Sequence, residues 1–229
     1  MVLAGCWRAR PDLVTTPGRF ITLEGGEGAG KSTLISGLQA ELERKGLTVC
    51  VTREPGGTVL AEKVRTLALN PPPNESWSPL SHALLMNTSR ADHLEKRIRP
   101  ALARGEWVLC DRFADSTRAY QSIDGVSLET LITIERAVVA ETRPDITLIL
   151  DADPAALADR RQQRGIQDVF EAKDLDFHKT VRAAFLAVAE LEPDRCDELD
   201  ALQSPPQVLA IALDAITTRL EQTRAPHFL

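Results

Sequence analysis

No stretch of the 229-residue chain approaches the ~18 consecutive apolar residues of a membrane-spanning helix, so no membrane partner is expected. Positive charge is not in excess. The 27 Lys and Arg stand against 33 Asp and Glu, a net charge of -6, which argues against broad binding to nucleic acid. Cysteine is sparse and unpatterned: Cys6, Cys50, Cys110 and Cys196 form neither a zinc-ligand spacing nor a CxxC redox pair. Cys50 and Cys110 lie in apolar runs and read as reduced core residues, which fits a cytoplasmic protein. His82, His93, His178 and His227 show no ligand spacing and read as surface or packing residues, although His93, three past Arg90, is a candidate pocket residue. Repeats and low-complexity tracts are absent. So is a guanine-reading Asn-Lys-x-Asp segment, which argues against a GTPase. Leu3-Ala4-Gly5-Cys6 superficially matches a lipoprotein cleavage site, but no basic leader or apolar core of about 7–15 residues precedes it. Residues 1–17 read as a flexible extension.

What is present is ordinary in bulk, 43% hydrophobic and 26% charged, and long enough for one well-cored domain over residues 18–229. Runs at 18–25, 47–55, 106–113 and 145–153 read as strands. Helical periodicity covers 31–46, where Leu34, Ile35, Leu38 and Leu42 make one stripe, then 58–69, 80–105, 128–142, 154 to about 164, about 171–191, and 207–222. Pro100 predicts a break or kink near Arg99. A last strand is expected between Glu192 and Ser204, although its only candidate, CDELDAL, is acidic for a buried strand. The alternation predicts an α/β fold of three layers, a central parallel sheet flanked by helices. A cluster of Arg160, Arg161, Gln162, Gln163, Arg164 and Gly165 marks a small mobile lid at about 160–172.

The sharpest motif is Gly25-Gly26-Glu27-Gly28-Ala29-Gly30-Lys31-Ser32, a complete phosphate-loop pattern between a strand and a helix. Its glycines let successive N–H groups point at one anion, and the following helix adds its positive end. Lys31 is placed to reach the β- and γ-phosphates of ATP or GTP, and Ser32 to ligate Mg²⁺.

In open α/β sheets, ligands gather outside the carboxyl ends of the strands. Besides the phosphate loop, two strands there end in Arg53-Glu54-Pro55-Gly56-Gly57-Thr58 and Asp111-Arg112-Phe113. Arginines converging beside a phosphate loop suit a second phosphate-bearing molecule. The competing reading pairs Arg53 with Glu54 and Arg112 with Asp111. Asp111 ends an apolar strand as a Mg²⁺-holding carboxylate does, with Asp151 as the alternative. Met86 and Arg90 share a helical face, and Thr117, Tyr120 and Gln121 share another, which together suit a flat base or plain packing.

TLEGGEGAGKST, VTREPGGT, Ser89-Arg90 and DRFADSTRAYQ, in this order, resemble the bacterial thymidylate kinase family from about Arg19 to Leu220. The resemblance implies phosphorylation of dTMP to dTDP by ATP with Mg²⁺, in a homodimer. It implies that Arg53 holds the dTMP phosphate and that Arg112 bridges the two phosphate groups. It also implies that Glu27 lies near the sugar, that Arg90 and Gln121 read the thymine, and that Ser116, Thr117 and Tyr120 shape the pocket. Arg160, Arg161 and Arg164 stand as the basic lid residues, and Glu171 as a further metal candidate. Two positions depart from the family: Met86 where a phenylalanine usually stacks on thymine, and Val169 where the lid usually carries an arginine.

Overall fold

A computed structural model describes residues 18–158, 170 and 173–224, the last three as backbone alone. Five strands, β1 (Phe20–Gly25), β2 (Val49–Arg53), β3 (Trp107–Asp111), β4 (Ile146–Asp151) and β5 (Cys196–Asp200), form one sheet in the order β2-β3-β1-β4-β5. All four pairings are parallel. The chain leaves β1 toward one edge and, after β3, crosses to the other. The strand order therefore reverses at β1, and a crevice opens beyond its carboxyl end.

Alternation along the strands sorts the core into two faces. Ile21, Leu23, Leu109, Leu148 and Leu150 point to the side covered by α1 (Lys31–Arg44) and α8 (Pro205–Arg224), which meet the leucine stripe of α1. Phe20, Val108, Cys110 and Ile149 point to the other side. That layer contains α3 (Pro79–His93), α4 (Arg99–Ala103), α5 (Ala114–Ile123) and α7 (Leu175–Leu191), with α2 (Val59–Leu69) and α6 (Leu128–Val139) packed on α3. Thr22 and Thr147 on this face are fully buried and satisfy each other through an Oγ1–Oγ1 hydrogen bond of 2.8 Å between β1 and β4.

One expectation changes in part and another holds. Pro100 does not break the helix. A π-helical turn, Leu94–Ile98, joins α3 to α4 and widens the ladder just ahead of the residue that lacks an N–H, while keeping Leu94 and Ile98 in the core. The acidic CDELDAL does form β5. As an edge strand it buries only Cys196 and Leu199, and Asp197 receives Arg219 of α8. Cys50, Cys110 and Cys196 are free thiols, Cys50 only half-buried, and Cys110 Sγ donates to the carbonyl of Arg112 at 3.0 Å.

Candidate active site

The phosphate loop leaves β1 through Gly25 at φ 126°, where a Cβ would lie 2.4 Å from the Leu150 carbonyl oxygen of β4. No side chain but hydrogen fits there. Helix α1 then starts at Lys31 with no side-chain cap and no acid in its first turn. By contrast α2, α3, α6 and α7 are capped by Thr58, Ser78, Ser127 and Asp174. The opening amides of α1 are thus left for an anion. Lys31 is buried and donates its Nζ to the carbonyls of Gly25 (3.0 Å) and Gly26 (3.1 Å). Burial and, next, the Arg112 charge lower its pKa.

The end of β2 overturns the pairing of Arg53 with Glu54. Arg53 instead donates to both oxygens of Glu62 on α2, at 3.1 and 3.0 Å, and its side chain is 56% exposed. Such an exposed pair is worth about 0–1 kcal/mol, so a phosphate can displace it. Glu54 turns inward. Its Oε2 accepts from Arg90 Nε at 2.8 Å and its Oε1 meets His93 Nδ1 at 3.0 Å. The other ring nitrogen of His93 meets Thr52 Oγ1 at 2.6 Å. His93 is fully buried and braces the TREPGG turn, a role the spacing did not reveal. Removing either partner of the buried Arg90–Glu54 pair would strand the other at a cost of about 3–5 kcal/mol.

The end of β3 changes in the same way. Arg112 does not pair with Asp111. It adopts φ 68°, a conformation costing a non-glycine residue of the order of 1–3 kcal/mol, which turns its side chain back over the loop. There Nη1 donates to Gly25 O (3.0 Å) and Ser116 Oγ (3.2 Å), Nη2 to Glu27 Oε1 (2.5 Å). The guanidinium also lies 5.3 Å from the ring centroid of Tyr120, the chain's single tyrosine. Tyr120 in turn donates to Glu27 at 3.3 Å, and its burial raises its pKa. Asp111 Oδ2 lies 3.5 Å from Ser32 Oγ, and Oδ1 is buried with no hydrogen-bond partner among the described residues. A stranded carboxylate oxygen beside a hydroxyl is suited to a hard cation that takes its remaining ligands from phosphates and water. The alternative, Asp151, is engaged by both Nε and Nη2 of Arg182 at 2.7 Å.

Between these strand ends lies a cleft of about 220 Å³. Glu27, Gly28, Gly30, Lys31, Ser32, Arg53, Asp111 and Arg112 line its end at the glycine loop. Met86, Arg90, Ser116, Thr117, Tyr120 and Gln121 from α3 and α5 line the other. Gly25, Gly26 and Ala29 sit behind it, on the outer faces of the loop. Arg90 commits four of its N–H groups to Glu54, Asn87, Phe113 O and Thr117, so it contributes rigidity and at most one donor to a ligand. Gln121 is buried, and its Nε2 has no partner among the described residues. Arg65, Leu69, Phe113 and Phe170 also line the cleft and escaped the sequence reading. Phe170 packs edge-on to Tyr120 at 4.8 Å and joins Met86 in one apolar cluster, so an aromatic face adjoins the methionine after all. Arg160, Arg161, Arg164, Val169 and Glu171 lie outside the described residues. A second, open cavity of about 450 Å³ flanks the loop on its other side, between Gly28–Gly30, Thr33, Ala201 and Gln203.

The family model of thymidylate kinase matches residues 23–210. A thymidylate kinase of Caulobacter vibrioides is 48% identical over 206 residues, covering 90% of this chain and 99% of that protein. One of Pseudomonas putida is 49% identical over 198 residues, 86% and 95% of the respective chains. The crystal structure of thymidylate kinase from Ehrlichia chaffeensis aligns with a TM-score of 0.71 at 30% identity, covering 87% of this chain and 100% of that one. With most of its length matched by the model and its relatives covered almost end to end, the chain belongs to the thymidylate kinase family.

Proposed function

We propose that this protein transfers the γ-phosphoryl group of ATP to dTMP, yielding ADP and dTDP. A phosphate oxygen of dTMP forms the new bond to the γ-phosphorus as the bond to the β-phosphate oxygen breaks. The acceptor is already anionic, so the protein supplies position and charge rather than a strong base. The loop amides and Lys31 hold the ATP phosphates, with the nucleoside toward the cavity between Thr33, Ala201 and Gln203. Arg53 exchanges Glu62 for the dTMP phosphate, and Arg112 leaves Glu27 to lie between the two phosphate groups. Gln121 offers its amide to the base edge, and Phe170, Met86 and Tyr120 enclose the ring. Asp111 and Ser32 are the side chains that would hold Mg²⁺, which when bound neutralises phosphate charge.

The reading is carried by one observation: two arginines from different strands share a cleft with the phosphate loop, and each is paired there with a carboxylate, Glu62 or Glu27, that an incoming phosphate can replace. A cytoplasmic homodimer completes the proposal. Leu67 on α2, Leu80 and Leu84 on α3, and Leu128 on α6 are exposed on adjoining helices and suit a second copy. An ADP-release assay with ATP and dTMP, dUMP or thymidine, with and without EDTA, tests the chemistry. Turnover is expected with dTMP, far less with thymidine, and none with EDTA. Equal use of thymidine would remove the role given to Arg53.

A further inference from the structure

Glu24, the penultimate residue of β1, is a carboxylate with no exposed surface. Its Oε1 accepts from the backbone N–H of Phe113 at 2.7 Å and of Ser116 at 3.3 Å, and its Oε2 accepts from Ser116 Oγ at 2.6 Å. Those amides open α5, a helix that has no side-chain cap of its own. The cap therefore comes from the central strand, 89 residues earlier in the chain. Ser116 Oγ also receives Arg112 Nη1, and Arg112 is held in a left-handed conformation between Asp111 and Phe113. One carboxylate thus grips both the residue after Arg112 and the hydroxyl that Arg112 touches.

We infer that Glu24 is a positioning residue for phosphoryl transfer, fixing the first turn of α5 and, through Ser116, the guanidinium of Arg112 against the phosphate loop. The inference rests on the proposed reaction. Within electrostatic reach of Glu24 are Asp115 and Tyr120 on α5, Arg112 in the turn, Lys31 on α1, and the thiols of Cys110 and Cys196. Burial first, and Asp115 next, push its carboxyl up to about 7. Protonation turns one acceptor oxygen into a donor, and Ser116 can meet that donor only by giving up the bond it donates.

The test is the kinetics of Glu24→Gln, Ser116→Ala and the double variant beside the parent, with ATP and dTMP, from pH about 6 to 9. Glu24→Gln should lower kcat at least about tenfold while the KM for ATP stays within about twofold and melting stays close to the parent's. The parent's kcat should decline as pH falls through about 7, and this limb should be missing in Glu24→Gln. The double variant should be no slower than Glu24→Gln, because both changes cut one chain of contacts. Parental kcat in Glu24→Gln, an unaltered pH limb, or fully additive losses would overturn the inference. Should Glu24→Gln not fold, Ser116→Ala decides: it leaves the backbone amides capped and must still lower kcat, and parental kcat there refutes the link. A parent that releases no ADP with dTMP refutes the proposed reaction itself, whereas an active parent beside an equally active Glu24→Gln refutes only the inference.

Discussion

The guanidinium of Arg112 meets the carboxylate of Glu27 at 2.5 Å across the open end of the phosphate loop. Burial opposes the charge on Arg112, and Glu27 restores it, so the arginine is cationic before any substrate arrives. Arg53 and Glu62 repeat the arrangement farther out and more exposed. In the proposed reaction each carboxylate gives way to a phosphate group.

Because the outer pair is half in solvent, Arg53→Ala should leave the fold intact and act on the acceptor. The KM for dTMP is expected to rise tenfold or more, roughly the loss of 1.5–3 kcal/mol for a charge-assisted contact. ATP affinity, read by titration, should stay within about twofold. Loss of ATP binding with unchanged dTMP affinity would overturn the assignment.

Lys31→Ala removes the ammonium that bridges Gly25 and Gly26. Turnover should fall by at least about 100-fold, with a far-ultraviolet circular dichroism spectrum like the parent's. Kinetics near the parent's would remove Lys31 from the chemistry.

Gly57 tests the bracing of the TREPGG turn. It stands at φ 88°, and a Cβ would lie 2.4 Å from His93 Nε2 and 2.7 Å from Thr52 Oγ1. Gly57→Ala should destabilise by more than about 2 kcal/mol and raise the KM for dTMP. Gly46→Ala, at φ 82° with open space around it, isolates the backbone cost and should lose only about 1 kcal/mol with normal kinetics. Equal losses in the two variants would show that His93 is not the constraint.

Glu192 gives a pH signature. Burial would raise its carboxyl, but hydrogen bonds from Arg195 and Arg118 outweigh that and hold it at about 2 against an ordinary 4.5. The unfolded chain therefore binds this proton more readily. The stability Glu192 contributes is present above 4.5 and is lost as pH falls toward about 2. Denaturant titrations should find Glu192→Gln less stable than the parent at pH about 7, and the gap should shrink at pH about 3. A pH-independent gap would mean the effect is packing alone.

The phosphate loop and the arginine-bearing strand ends were legible because local pattern defines them: an apolar strand, glycines, then a helix. What the arginines meet was not. Glu62 reaches Arg53 by way of a helix turn, and Glu27 reaches Arg112 across the sheet, so adjacency in sequence pointed to Glu54 and Asp111 instead. Glu24, and the bracing role of His93, which reads from sequence only as a candidate pocket residue, were missed for the same reason, their partners lying 89 and 41 residues away. CDELDAL is the expected last strand despite its acids, and it fills that place because an edge strand solvates the acids that a central strand could not.

The hydrogen bond from Cys110 Sγ to the Arg112 carbonyl sets that thiol apart as a reporter. Burial raises it well above an ordinary thiol, and pushes Cys196 up to about 12, so neither offers a thiolate to a reagent near neutral pH. Alkylation of Cys110 can then proceed no faster than β3 detaches from its neighbours, and dTMP with ATP should slow it. Half-buried Cys50, on the neighbouring strand, supplies the internal clock against which that opening is timed.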